Sequence, residues 1–265
     1  MGRIQTLFER LKAEGRSAFI PYLCAGDPDM KTCLNLARGL FKDGVDLLEV
    51  GVPFSDPLAD GLTNQLAAQR ALEAGASQEA VFGLVRTLRE ETETPIVFYT
   101  YYNLVHAMGA KTYVEVCREA GVDGLLVLDL PPEEADELIA AAREAAIDLI
   151  FIIAPTTRPE RMTAIAERAT GFLYYVSREG VTGEQTDLAE DLGDSLEEIR
   201  RHTDLPVVVG FGISSPEQVD RVGQLADGVV VGSSLVRCIQ ENADAPEEAV
   251  AAYRDKARWL MEGLK

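Results

Sequence analysis

Residues Asp46 to Gly61 read DLLEVGVPFSDPLADG. Leu47, Leu48, Val50 and Val52 make a short run that is apolar on both faces. That is the pattern of a strand in a parallel sheet whose outer surface is covered by helices. Glu49 interrupts it. A carboxylate taken out of water without a partner is costly enough that the group usually changes its pKa instead. A loop comes next, carrying Asp56 and Asp60 between prolines and glycines.

Runs of the same kind recur along the chain: AFIPYL, PIVFYT, DGLLVLDL, DLIFIIA, GFLYYV, LPVVVGFG and DGVVVG. Between them lie amphipathic segments such as KTCLNLARGLFKDG, SQEAVFGLVRTLRE, KTYVEVCREAG, EADELIAAAREA, PERMTAIAERA and SLEEIRRHT. Fully apolar strands alternating with helices mean βαβ units and a parallel sheet. Eight strands with a helix after each, no linker and no shift in composition point to an α/β chain whose residues 1–265 form a single (β/α)8 TIM barrel. The stretch MGRIQTLFERLKAEGR adds an extra N-terminal helix before the first strand. A doubly wound sheet is the alternative, but its first turn would carry GxGxxG, and here that turn is CAGDPD.

The barrel gives Glu49 a place. Side chains alternate along a strand, so Leu47, Glu49 and Gly51 share the inner face while Leu48, Val50 and Val52 pack under the helices. Glu49 then points into the barrel near the strand's C-terminal end, where barrel enzymes carry their catalytic groups. Apolar walls raise its pKa toward the range useful for a general acid or base. A structural ion pair is the alternative, with Arg178 the nearest candidate after the sixth strand. Asp60 either forms a carboxylate pair with Glu49 or is a turn-forming Asp before Gly61. GFGISSPEQV, with Gly210 and Gly212, comes after the seventh strand, and Ser215, Pro216 and Gln218 read as a helix start with a capping box. Gly232 and Ser233 open another helix after the eighth. Such helix N-termini bind anions, and barrels often hold phosphate there. SREGVTGEQTDL, after the sixth strand, is long enough for a lid.

Composition excludes several chemistries. The formal net charge is −19, which argues against nucleic acid. The acid is spread over helix faces, so the chain reads as adapted to a salty cytoplasm, with an ordinary solvated acidic surface as the alternative. No apolar run is long enough to span a membrane, and the N-terminus lacks the apolar core of a signal peptide, so the protein is expected in the cytoplasm. The 4 cysteines are scattered and read as small apolar residues. No lysine ends a strand, which disfavours a Schiff-base mechanism. His106 and His202 are far apart, so no metal site is expected. What remains is acid–base catalysis by carboxylates on a small substrate anchored by phosphate.

LLEVGVPFSDPLADG, YYNLV, SREGVTG, VGFGIS and VVVGSSLV occur in this order over nearly the whole chain. Together they closely resemble the motifs of the tryptophan synthase alpha subunit family, and E-x-G-x-P-F-S-D-P-x-A-D-G is the most specific of them. The resemblance implies a lyase that cleaves indole-3-glycerol phosphate into indole and glyceraldehyde 3-phosphate without metal or cofactor. It implies that Glu49 transfers protons, that Asp60 meets the indole N–H, and that Tyr174 lies beside the catalytic Glu. Gly183, Gly212, Gly232 and Ser233 match the phosphate-binding positions. Tyr22, Tyr101, Leu126, Ile152, Thr182 and Phe211 match the indole pocket or its rim. Tyr22 stands where Phe is usual, and Tyr99 and Leu128 fall where some members have other apolar residues; these departures bear on pocket fit. The resemblance also implies a beta subunit, which would carry pyridoxal phosphate and form an alpha2beta2-type complex. The loop from Pro53 to Asp60 would face that partner, with Phe54 expected as an exposed apolar contact. The readings that compete are a catalytically silent phosphate-binding regulatory subunit and another phosphate-binding barrel isomerase or lyase.

Overall fold

The computed structural model describes residues 2–177, 187–210 and 212–265. Eight parallel strands close into a barrel in sequence order. They are β1 (Ala18–Cys24), β2 (Leu48–Gly51), β3 (Ile96–Thr100), β4 (Gly124–Val127), β5 (Asp148–Ile153), β6 (Leu173–Val176), β7 (Val207–Gly210) and β8 (Gly228–Val231). Seven lie within the apolar runs and β1 covers its run and adds Cys24, so the expected TIM barrel is the observed one. The helices are α1 (Arg3–Glu14), α2 (Met30–Asp43), α3 (Leu62–Glu73), α4 (Gln78–Arg89), α5 (Tyr102–Met108), α6 (Ala110–Ala120), α7 (Asp136–Ala145), α8 (Pro159–Ala166), α9 (Asp187–Arg200), α10 (Pro216–Gly223), α11 (Ser233–Glu241) and α12 (Pro246–Met261).

Strand alternation divides the apolar residues into two layers. Leu48, Val50 and Val52 belong to the outer layer between strands and helices. Leu47, Val97, Leu126, Ile150, Val208 and Val230 fill the interior. The interior cluster continues into Ile4, Leu7, Phe8 and Leu11 of α1, which plugs the N-terminal end of the barrel. Tyr253 of α12 is wholly buried and donates to the Tyr22 carbonyl at 2.5 Å, fastening the last helix to the first strand.

A repeated bond closes the same N-terminal end. Asp46, just before β2, accepts the Phe19 N–H of β1 at 2.9 Å. Asp123, before β4, accepts Ile96 N–H of β3 at 2.8 Å, and Asp227, before β8, accepts Val207 N–H of β7 at 2.8 Å. Thr170 does the same before β6, taking Leu149 N–H of β5 through its hydroxyl at 2.8 Å. Each odd strand therefore has an early backbone donor satisfied by the side chain that introduces the next strand, a buried group that would otherwise be costly to leave unpaired. Arginines neutralise the aspartates: Arg16 grips Asp46 through two bonds of 2.8 Å, and Arg89 and Arg3 reach Asp123 at 2.6 and 3.1 Å.

Candidate active site

The C-terminal end is built differently. Glu49 sits on the inner face of β2, only 2% exposed, beside Tyr22 in the β1–β2 register. Burial pushes its pKa up to about 8, and the charge of Asp60 adds to the rise; no cation among the described residues opposes it. Arg178, the candidate for a structural partner, lies outside the described residues. At neutral pH Glu49 therefore holds its proton.

Asp60 lies in the loop after β2 and is fixed by donors from three directions. Tyr99 Oη donates to Oδ1 at 2.7 Å and Tyr101 Oη to Oδ2 at 2.7 Å, while Asn64 Nδ2 approaches Oδ1 at 3.4 Å. Gln65 Nε2 donates to the Asp60 carbonyl at 2.8 Å. Asn64 and Gln65 lie in the first turn of α3, so the helix next in the chain also holds the loop. Tyr101 Oη in turn accepts the Ala59 N–H at 3.1 Å. The turn-forming alternative is thus incomplete: Asp60 is a carboxylate held by phenols, near enough for its charge to act on Glu49.

Two inner-face glycines make room for the tyrosines. A Cβ on Gly51 would run into the Tyr22 hydroxyl, and one on Gly210 into the Tyr174 hydroxyl. Tyr22 consequently reaches Tyr99 edge-on, ring centroids 5.1 Å apart. Burial keeps the phenols of Tyr22, Tyr99 and Tyr174 protonated. Leu126 is buried in the interior and Ile152 packs against it, giving the site an apolar wall.

Across the mouth, β8 passes through Gly232 directly into α11, whose first residue is Ser233. No side chain caps that helix start, so its leading N–H groups remain available to an anion. At α10, by contrast, Ser215 and Gln218 form the expected capping box and occupy the donors themselves. Ser234 Oγ donates to the Ile213 carbonyl at 2.9 Å, joining the two loops. Gly212 adopts φ +71°, and a Cβ on Gly232 would stand 3.7 Å from the Tyr22 Cβ, so the start of α11 adjoins the aromatic wall.

The structure thus brings Glu49, Asp60, Tyr174, Tyr22, Tyr101, Leu126, Ile152, Gly212, Gly232 and Ser233 to one end of the barrel. Thr182, Gly183 and Phe211 lie outside the described residues, as does most of the expected lid. One expectation is corrected. Phe54 is half-buried, its ring 5.2 Å from that of Tyr101, and the exposed apolar groups nearest Asp60 in the chain are Leu58 and Leu62, at 92% and 71% exposure. Sequence reasoning assigned Tyr99, Asn64 and Gln65 no role at Asp60. Tyr99 had a signal, since it shares the inner face of β3 with Val97. Among the described residues no group of three His, Cys, Asp or Glu could hold a metal ion, and no helix is long and apolar enough to cross a membrane.

The family described as Tryptophan synthase alpha chain matches residues 8–265. A tryptophan synthase alpha chain from Opitutus terrae is 59% identical over 265 residues, covering 100% of both chains. Among solved structures, tryptophan synthase subunit alpha from Legionella pneumophila superposes with a TM-score of 0.92 at 35% identity, over 100% of this chain and 98% of that one. A chain of the tryptophan synthase a2b2 complex from Pyrococcus furiosus, described for its mutual activation, gives a TM-score of 0.86 at 39% identity over 93% and 98%.

Proposed function

The chain belongs to the tryptophan synthase alpha chain family, and from that premise we propose how its residues divide the work of cleaving indole-3-glycerol phosphate into indole and glyceraldehyde 3-phosphate. This lyase half-reaction belongs to the last stage of tryptophan biosynthesis, which the chain carries out with a beta subunit. The observation that carries the residue assignment is Glu49: a buried carboxyl inside the barrel, with no opposing cation among the described residues and a pKa pushed up to about 8.

Glu49 gives its proton to indole C3. The ring nitrogen becomes cationic, and Asp60 accepts its N–H and stabilises the charge. The Glu49 carboxylate then takes the proton of the glycerol hydroxyl. The bond between C3 and the glycerol carbon breaks, its electron pair returning to the indole ring as the carbonyl of the aldehyde forms. Glu49 ends as it began, so one group with a raised pKa serves both transfers. Tyr174 stays a neutral phenol and closes the apolar side of the Glu49 site. Tyr22, Tyr101, Leu126 and Ile152, with Thr182 and Phe211, hold the indole. Gly212, Gly232 and Ser233, with Gly183, hold the phosphate at the uncapped start of α11.

The whole chain, residues 1–265, acts as one barrel domain in the cytoplasm, and the carboxylates do its chemistry without cofactor or metal. Pyridoxal phosphate is assigned to the beta subunit. The a2b2 complex of the Pyrococcus furiosus relative supports a beta-subunit partner. Leu58 and Leu62, exposed on either side of Asp60, suit that contact. The test is indole release from indole-3-glycerol phosphate by the purified chain, alone and titrated with its beta subunit. The wild-type chain turns over and Glu49→Gln does not; equal rates for the two would sink the assignment. Turnover falls as pH rises through about 8, where Glu49 loses the proton it must donate.

A further inference from the structure

Asp60 can meet the indole nitrogen only if its carboxylate is held still. Its donors differ in what they are attached to. Tyr101 lies just past the end of β3 and accepts a bond from Ala59, so it is tied to the same loop it steadies. Asn64 belongs to the helix that continues that loop. Among the described residues, Tyr99 is the one donor to this carboxylate that a barrel strand carries.

Tyr99 is itself fixed. Its backbone pairs with Gly51 in the β2–β3 register. Because Gly51 has no side chain, the Tyr22 ring crosses β2 and rests edge-on against the Tyr99 ring at 73°. The phenol has its proton to give, since burial and the neighbouring Asp60 raise its pKa. A carboxylate has about four lone-pair sites, so Asp60 can accept from Tyr99, Tyr101 and Asn64 and still leave room at Oδ2 for a further donor.

We propose that Tyr99 is a positioning residue of the lyase reaction: it ties the Asp60 carboxylate to the rigid wall of the barrel and sets where the cationic indole nitrogen is met. This rests on the lyase reading above and goes beyond it, because Tyr99 acts through Asp60 and needs no contact with the reacting atoms. A displacement of ~1 Å at such a group costs on the order of 100-fold in rate. The phosphate end is untouched by the change, so the loss appears in kcat.

The test compares wild type, Tyr99→Phe, Asp60→Asn and the double variant, each alone and with the beta subunit. Phenylalanine keeps the ring that packs on Tyr22 and removes only the hydroxyl. Tyr99→Phe is expected to lower kcat by about 10- to 100-fold, the size of one lost hydrogen bond to a charged group, with KM changed less than about twofold. The double variant is expected to be no slower than Asp60→Asn alone, because both changes break one device. Unchanged kcat in Tyr99→Phe, or losses that multiply in the double variant, would overturn the proposal. Thermal midpoints of the four proteins give a readout that does not need catalysis. Non-additive midpoints are expected from bonded partners, and additive ones count against the bond. Wild-type indole release, read in the same series, reports separately on the lyase reading.

Discussion

Asp123 and Glu49 are both buried carboxyls on the barrel, one at each end, and their surroundings are opposite. Burial pushes both pKa values up. At Asp123, Arg89, the Ile96 N–H and Arg3 oppose the push. At Glu49 the next largest influence is another carboxylate, and it adds to the push. Charge at the N-terminal end is thus neutralised where it lies, and it serves to hold strands. At the C-terminal end it is left uncompensated, which makes a group that readily exchanges its proton. The cost of burying a carboxylate is met by bonds at one end and retained as reactivity at the other.

Exchanging each acid for a neutral residue pulls the two ends apart. The largest effect is expected from Glu49→Gln, which should lower kcat by ~10²–10⁴-fold or more, since one group serves two proton transfers. Circular dichroism should show an unchanged fold. At the other end, Asp123→Ala should leave turnover per folded molecule near wild type but destabilise the chain by about 3–5 kcal/mol. It takes from Arg89, whose side chain is only 11% exposed, its carboxylate partner, and leaves the Ile96 N–H unpaired. Urea unfolding measures that loss; a loss below about 1 kcal/mol would mean the latch adds little to the fold.

The stability of Glu49→Gln sharpens the contrast through pH. In the unfolded chain Glu49 titrates at its ordinary value of 4.5, and in the folded chain at about 8. Below the lower value both states hold the proton and there is no cost. Between the two, only the folded state holds it, so stability falls as pH rises; above about 8 the cost is constant. The stability of Glu49→Gln minus that of wild type should therefore grow from about pH 5 to about pH 8.5, by up to about 5 kcal/mol. A difference independent of pH would show that Glu49 titrates normally. The smallest effect expected is that of salt. With a net charge of −19, screening should raise the thermal midpoint by about 2–4 °C between low salt and molar KCl, and equally in wild type and Glu49→Gln. A midpoint independent of salt returns the acidic surface to an ordinary solvated one.

Much of the barrel is legible because its signals are local. Each strand is a short apolar run, and the inward aim of Glu49 comes from counting residues along β2. Helix α3 is harder to see: the residues it buries are Ala67, Ala68 and Ala71, too small to mark an apolar stripe. The latches also escape a linear reading. An Asp before an apolar run looks like a turn residue, and its partner lies 27 residues back for Asp46 and Asp123 alike. At the site, motif and parity find Glu49 and Asp60, but the bond from Tyr99 spans 39 residues. It exists only once β3 lies beside the loop that leaves β2. Phe54 is less exposed than expected because a ring of Tyr101, invisible from the loop's own sequence, offers Phe54 a surface to stack on.

The four strand-end latches join β1 to β2, β3 to β4, β5 to β6 and β7 to β8. The barrel is in this sense four clasped ribbons standing in a ring, each clasp at the foot. None of the clasping side chains takes part at the rim, where the loops that would grip substrate and partner emerge. Rim loops can therefore be lengthened, shortened or traded without loosening the ring. A new specificity can be written on this frame by altering the segments that leave the strands at the rim while keeping those that enter them at the foot.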